Sequence, residues 1–430
     1  MAGLQSKMII CSCSFSGRGA LCEEMLFSWY PEITWISQRY GYVTDGCQSL
    51  CIQKMPDMKE FIAEAFRKRL PILFIGATGI AVRLVAEHVK DKFIDSPVLV
   101  MDVKRKFVIP LLSGHVGGAN ELAVLIAERT GAVPVITTGS DVWGRLSVDV
   151  FAKRNGFSIL NREAVKHVAE NILCGNSVCM WIHPDVKFVK PPVSLDLEVV
   201  TGDTVPDNVD VVVLSDADGV CERDDVGDDN SLGGADGGGG ESDDVSVKNL
   251  QKLKNRLVDD PEKAPLVLAP KTYCVGIGCK YGKTFEELSA FLEENLSSEV
   301  RENMFAIASI DLKKDEIGLM ELAQYHHIPF VTYTAEELAA VPGEFSESEF
   351  VREKTGVSNV CERAAVKCAT SAKKGKSAGK GGVLDGGVLI CKKIAKDGMT
   401  VAVAKRKPKI VTWKTDAKEI LKDFQLCARK

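Results

Sequence analysis

Leu111-Leu112-Ser113-Gly114-His115-Val116-Gly117-Gly118-Ala119-Asn120-Glu121 is an apolar run that breaks into a three-glycine turn and then enters an amphipathic stretch. A strand that passes through glycines into a helix is the repeating unit of an α/β layer. Gly114, Gly117 and Gly118 let the backbone turn tightly and approach a ligand closely. The helix behind them is expected to aim unpaired N–H groups at whatever occupies the turn, which favours an anion. His115 is the one group of the turn able to move a proton near neutral pH. Asn120 and Glu121 read equally well as helix-start residues that cap or offset the dipole and as members of a site.

The same alternation extends outward. Met8 to Cys11, Ile72 to Ile75, Val98 to Met101, Phe107 to Leu112 and Val135 to Thr137 are strand-length runs, with amphipathic stretches at 81–89 and 120–129 between some of them. The pattern predicts an α/β fold of several domains, with largely parallel sheets flanked by helices. Two strands run straight into glycine turns, at Gly76-Ala77-Thr78-Gly79 and at Ser113 to Gly118. Ligands collect at the carboxyl ends of strands in open sheets, so both turns are expected to face one crevice. The first has no phosphate-loop lysine and is not a dinucleotide fingerprint. Arg83, one helical turn on, can clamp a carboxylate, although an exposed helix arginine is the commoner outcome.

Beyond residue 140 the alternation weakens, with strands expected at Val178 to Ile182, Val209 to Leu214 and Leu266 to Ala269. Asp216 to Val245 holds eleven Asp or Glu residues, a run of four glycines and almost no large apolar group. Such a tract cannot repay the entropy of ordering and reads as a flexible insertion, ending near Ala264. A second α/β unit opens with the strand Tyr273 to Ile277, the turn Gly276-Ile277-Gly278-Cys279-Lys280 and a helix from Thr284. Thr284 with Glu287, and Thr334 with Glu337, have capping-box spacing. Strands are expected at 305–310, 330–333 and 399–404 and a helix at 318–325, with a basic Lys- and Gly-rich insertion at 373–387. The expected domains are 1–140, 141–271 and 272–410, followed by a tail at 411–430.

The totals exclude several classes of function. The chain has 430 residues, 45% hydrophobic, with a net charge of −5, so no overall basic field draws nucleic acid. Its longest apolar runs fall short of the ~20 residues of a membrane span, and no secretory leader is evident, which places it in the cytoplasm. The fourteen cysteines are scattered and read as reduced thiols. Cys11 with Cys13, and Cys47 with Cys51, lack the second pair a zinc site needs, so no metal is expected. Cys279 reads as a packed small side chain before it reads as a nucleophile. Asp311 and Lys313, at a strand end, read as a solvated loop on charge pattern alone.

Three stretches carry a resemblance. They are Phe74-Ile75-Gly76-Ala77-Thr78-Gly79-Ile80-Ala81-Val82-Arg83, Pro110 to Ala123 with the turn quoted first, and Pro134-Val135-Ile136-Thr137-Thr138. Together they resemble the amino-terminal domain of the cobalt-precorrin-5A hydrolase family. Val275 to Lys280, Ser309 to Leu319 and Thr400 to Ala404 resemble that family's carboxy-terminal domain. The chain departs from the family at the two insertions and at Gly139-Ser140-Asp141, where Ala-Thr-Asp is more usual.

The resemblance implies hydrolysis of a lactone on a cobalt-containing tetrapyrrole, with loss of a two-carbon fragment as acetaldehyde in anaerobic cobalamin synthesis. Water is then the co-substrate and the substrate carries its own cobalt, so no further cofactor is expected. On this reading His115 is the base, and the turn amides with Ser113 or Thr78 hold the oxyanion. Glu121 orients the imidazole or replaces it. The expected substrate contacts are Gly76, Thr78, Gly79, Arg83, Gly114, Gly117, Gly118, Asn120, Thr137, Thr138, Gly276, Gly278, Cys279, Lys280, Asp311 and Lys313. A corrinoid carrier without chemistry is the alternative, and a homodimer is the one protein association to be expected.

Overall fold

A computed structural model of the chain describes residues 8–39, 57–193, 197–215, 264–370 and 387–417. The two expected insertions, apart from Ala264 and Gly387, lie outside these residues, as do Cys47, Cys51 and residues 418–430. The described residues form two units, the first made of 1–142, 273–406 and 416–430 and the second of 143–272 and 407–415.

The first unit opens with β1 (Met8–Ser14), α1 (Gly17–Trp29), β2 (Ile33–Arg39), α2 (Met58–Arg67), β3 (Ile72–Ile75), α3 (Thr78–Val85), β4 (Val98–Met101), β5 (Phe107–Leu112), α4 (Ala119–Thr130), β6 (Val133–Pro134) and α5 (Gly139–Trp143). Local chemistry sets the helix starts. Ser16 accepts the Gly19 N–H ahead of α1, and Asp57 accepts the Lys59 N–H ahead of α2. The six strands lie in the order β2-β1-β3-β4-β5-β6, and β1 to β4 run parallel.

β5 then reverses, antiparallel to β4, and β6 runs parallel to β5. Asp102 directs the reversal: its carboxylate accepts the N–H groups of Lys104, Lys106 and Phe107 at 2.8 Å each. Arg105 takes the left-handed backbone the turn requires, with φ 57°. The register pairs Leu112 at the end of β5 with Val98 at the start of β4. The turn carrying His115 therefore lies at the edge where β3 and β4 begin, and Gly76 to Gly79 lies at the edge where they end. This corrects the expectation of one shared crevice. About 13 Å of strand separates the two edges.

The second unit comprises α6 (Val148–Asn155), β7 (Phe157–Ile159), α7 (Ala164–Leu173), β8 (Val178–Ile182), β9 (Lys187–Phe188), β10 (Leu197–Thr201), β11 (Val211–Val213) and β12 (Leu266–Pro270). Its sheet runs β10-β8-β11-β12-β7, parallel except for β7. Residues 407–415 belong here too, with Trp413 stacked on Phe151 at 5.1 Å.

The rest of the first unit is β13 (Tyr273–Cys279), α8 (Phe285–Asn295), α9 (Ser298–Glu302), β14 (Met304–Ile310), α10 (Ile317–Tyr325), β15 (Phe330–Tyr333), α11 (Ala335–Ala339), α12 (Glu349–Thr355), α13 (Cys361–Ala369), β16 (Val388–Lys396) and β17 (Met399–Lys405). The last strand among the described residues, β18 (Lys409–Ile410), pairs with β9 in the second unit. Both expected capping boxes form, at Thr284 with Glu287 and at Thr334 with Glu337. The sheet order is β15-β14-β13-β17-β16, with β13, β14 and β15 parallel.

One apolar core joins the two sheets of this unit. Ile9, Cys11, Phe61, Ile62 and Phe74 pack in the same cluster as Val275, Phe285, Leu288, Leu319 and Leu322. Polar contacts pin the joint: Gln324 exchanges hydrogen bonds with both backbone groups of Ile9, at 3.1 and 3.0 Å, and half-buried Lys68 pairs with buried Glu321 at 2.9 Å. Among the described residues no helix is long and apolar enough to cross a membrane.

Gly276 holds α13 against β13. A Cβ there would lie 1.9 Å from the Cys361 carbonyl oxygen and 2.8 Å from the Ala365 nitrogen. Gly276→Ala is expected to cost about 3 kcal/mol, as an overpacked core position does. Gly202→Ala, where nothing lies within 4 Å, should change stability by less than ~0.5 kcal/mol. Thermal unfolding of the two variants checks the contrast, and equal midpoints would refute it.

Candidate active site

The turn after β5 is wound so tightly that two of its glycines are obligatory. A Cβ on Gly117 would meet the Ser113 Cβ at 2.4 Å, and one on Gly114 would meet the Asn120 Oδ1 at 2.7 Å. Gly118 caps α4 at φ 91°, a conformation that favours glycine. Ser113 itself takes φ 53°, and its hydroxyl donates to the Asp95 carbonyl at 3.0 Å. The first two amides of α4 turn inward: Ala119 N–H reaches the Ser113 carbonyl at 3.1 Å and Asn120 N–H the Gly114 carbonyl at 3.0 Å. The expectation that these helix-start amides point at a ligand is thereby corrected. Ser113 is likewise corrected as an oxyanion donor, because its proton is committed to backbone.

β5 and β6 run parallel, so the loop after β6 arrives at the same edge. It brings Ser140 and Asp141 to the imidazole and Thr138 to Asn120. His115 Nε2 lies 3.1 Å from Asp141 Oδ2 and 3.1 Å from Ser140 Oγ. Buried Asn120 donates through Nδ2 to Asp141 Oδ2 at 2.7 Å and to Thr138 Oγ1 at 2.9 Å. The remaining oxygen of Asp141, Oδ1, accepts the Ala417 N–H at 3.2 Å. Burial pushes the Asp141 carboxyl upward. Hydrogen bonds from His115, the Ala417 N–H and Asn120, with the charge of the imidazole, outweigh that and hold it below the ordinary carboxylate range.

An ionised Asp141 favours the imidazole tautomer that carries its proton on Nε2, which leaves the lone pair on Nδ1. The side chain of Asp141 is 6% exposed and that of His115 is 19% exposed, so the carboxylate is shielded while the ring keeps an open flank. An imidazole held in this way is able to act as an oriented general base. The carboxylate found on Nε2 is that of Asp141, which sequence reasoning did not select. The signal for it was positional: Asp141 lies three residues beyond Thr138, in the loop that follows the Pro134 to Thr138 stretch. Thr137 is exposed.

The other expected contacts divide by edge. Gly76, Thr78, Gly79 and Arg83 lie at the far edge of the first sheet, so Thr78 cannot serve the same carbonyl as His115. Arg83 folds back on its own helix, donating to the Gly79 carbonyl at 2.9 Å. Gly276 serves packing, as described above. Gly278 sits against Thr400, whose hydroxyl donates to its carbonyl at 3.1 Å. Burial pushes the Cys279 thiol up to about 11, which keeps it protonated at neutral pH.

Cys279, Lys280, Asp311 and Lys313 gather at the carboxyl edge of β13 and β14. Lys313 pairs with buried Glu316 at 2.9 Å, and Glu316 also takes the Gly282 N–H at 2.6 Å. α8 starts from this edge, and its Glu286 meets Arg67, the last residue of α2 before β3 begins.

Profiles of known families match both parts of the first unit. The one described as cobalamin synthesis G N-terminal covers residues 60–141, and that described as cobalamin synthesis G C-terminus covers residues 273–404. The cobalt-precorrin-5A hydrolase of Salmonella typhimurium is 33% identical over 315 residues, 70% of this chain and 77% of that protein. The cobalt-precorrin-5A hydrolase of Priestia megaterium is 27% identical over 320 residues, 72% of this chain and 75% of that protein. The crystal structure of CobE, a protein from the cobalamin (vitamin B12) biosynthetic pathway, is 30% identical, covering 32% of this chain and 91% of that one, with a TM-score of 0.27.

The lowered Asp141 pKa has a consequence for stability. A carboxyl whose folded value lies below its unfolded value stabilises above the unfolded value, near pH 4, and loses that contribution as pH falls through the folded value. Asp141→Asn should lower stability by ~2 kcal/mol at pH 7, with the deficit shrinking below about pH 4. Thermal unfolding between pH 7 and 3 measures it. A deficit that stays constant over that range would show that the carboxylate is not held ionised.

Proposed function

The chain belongs to the cobalamin synthesis G family, and from that premise we propose that it is a cobalt-precorrin-5A hydrolase in anaerobic cobalamin synthesis. On this reading it opens the ring-A lactone of the cobalt-bearing tetrapyrrole and releases the extruded two-carbon fragment as acetaldehyde, giving cobalt-precorrin-5B. The names of its relatives support the substrate. The observation that carries the chemistry is His115, set in a glycine turn with Nε2 held by a buried carboxylate.

Water attacks the lactone carbonyl carbon while His115 Nδ1 takes its proton. The carbonyl oxygen becomes an oxyanion, which needs hydrogen-bond donors aimed at it, a part we assign to amides of the glycine turn. As the intermediate collapses, the bond to the lactone alkoxide oxygen breaks and the acid is formed. The freed alkoxide then closes to an aldehyde carbonyl as the carbon–carbon bond to the macrocycle breaks. The electron pair left on the ring carbon takes up the proton held by His115. No oxidant is consumed, and cobalt stays with the substrate throughout.

Lys280 and Lys313, at the carboxyl edge of β13 and β14, have the charge that the carboxylate arms of such a substrate call for. The partner is accordingly a small molecule in the cytoplasm. His115→Ala is expected to lower the rate of acetaldehyde release by ~10²–10⁴-fold with KM little changed, as loss of a positioned base does. An anaerobic coupled assay with alcohol dehydrogenase and NADH reads the aldehyde directly. Unchanged turnover would remove His115 from the mechanism, and tight binding without any aldehyde from the unaltered protein would make the chain a carrier.

A further inference from the structure

We propose that the backbone N–H of Ala417 is a positioning group for the His115–Asp141 pair, so that the segment leading to the carboxy terminus holds the base in its working orientation. The inference rests on the reading of that pair as the catalytic base and its orienting partner. Asp141 has two oxygens and three outside claimants. Oδ2 is shared between His115 Nε2 at 3.1 Å and Asn120 Nδ2 at 2.7 Å, whereas Oδ1 takes the Ala417 N–H at 3.2 Å. That bond spans 276 positions of sequence.

The donor is seated by packing. Ala417 is 2% exposed and clusters with Val124, with Leu125 and Ile136 against them. Val124 lies one helical turn from Asn120 on α4, so the helix that supplies one donor to Asp141 also supplies the floor that fixes the other. A carboxylate held on one oxygen only can rotate about its Cβ–Cγ bond. Held on both, it presents Oδ2 to the imidazole in one plane, which fixes the proton on Nε2 and the lone pair on Nδ1. Because the donor is a main-chain group, no side-chain pattern announces it.

The test removes one N–H. Ala417→Pro lacks the donor, and a backbone ester at residue 417, installed by ligating the terminal peptide, lacks it without altering the side chain. Both are expected to lower kcat roughly ten- to a hundredfold, the worth of one hydrogen bond to a charged group. KM should hold, and the acid limb of the kcat profile should move to higher pH as Asp141 loses a donor to its ionised form. Ala417→Gly keeps the N–H and is expected to recover most of the rate.

In the Asp141→Asn background, Ala417→Pro should cost nothing further. Equal kcat and pH profiles for the ester and the unaltered chain would overturn the proposal. So would an undiminished loss in the Asp141→Asn background, because the effect would not then pass through Asp141. His115→Ala run in parallel separates the two readings: full turnover there refutes the base itself, while loss there with a silent ester refutes only the role of Ala417.

Discussion

Five residues, 102–106, separate β4 from β5, and that shortness decides where the site lies. A parallel return needs a crossover of a dozen residues or more, so the chain can only double back. Asp102 makes the reversal firm by accepting three backbone N–H groups. With β5 reversed, the strand's carboxyl end points to the edge where its neighbours begin. β6 follows β5 in the same direction and delivers its loop to the same edge. The imidazole and its carboxylate meet because of this one turn. The usual rule for open sheets places ligands at the carboxyl ends of the strands, and it holds here for the β5–β6 pair taken by itself. It fails for the sheet as a whole, because the sheet is not all parallel.

Much of the fold was legible. Ile72–Ile75, Val98–Met101, Phe107–Leu112, Val178–Ile182 and Phe330–Tyr333 form strands over the residues the apolar runs marked. These runs are short and rich in β-branched, aliphatic or aromatic residues, and Ile72–Ile75 and Val98–Met101 are buried throughout, so local chemistry suffices. The capping boxes were legible for the same reason. Val135 to Thr137 was not: pairing in β6 ends at Pro134, although the Val135 N–H still reaches the Val108 carbonyl at 2.8 Å. The direction of β5 was also written in the chain, as a link too short for a crossover. The alternation of strands and helices elsewhere led away from it.

The site was legible only in part, and glycine shows why. Gly117 and Gly276 look alike in sequence, each a small residue beside a strand. The structure gives both a packing role, one closing a turn on Ser113 and the other admitting α13 onto β13. A missing side chain signals close approach without saying what approaches. Asp141 stayed hidden for the opposite reason. Its partners lie 26, 21 and 276 positions away, and nothing local marks an aspartate as buried. The joint between the two sheets of the first unit is equally non-local, resting on Gln324 with Ile9 and on Lys68 with Glu321.

Burying Asp141 is costly, and the cost explains the company it keeps. A carboxylate taken from water without partners would neutralise, which would cancel its hold on the imidazole. Two neutral donors, the Asn120 amide and the Ala417 N–H, keep it charged without competing for its charge as a lysine or arginine would. An ion-paired Asp141 would spend its field on the cation and orient His115 weakly. With neutral donors, a protonated His115 is the only full charge hydrogen-bonded to it among the described residues. The donors thus stabilise the charged form of the acid while leaving its electrostatic pull for the step that needs it. Asn120 can play this part only because Gly114 makes room for its carboxamide. The glycine turn, the helix start and Ala417 therefore act on His115 through a single carboxylate.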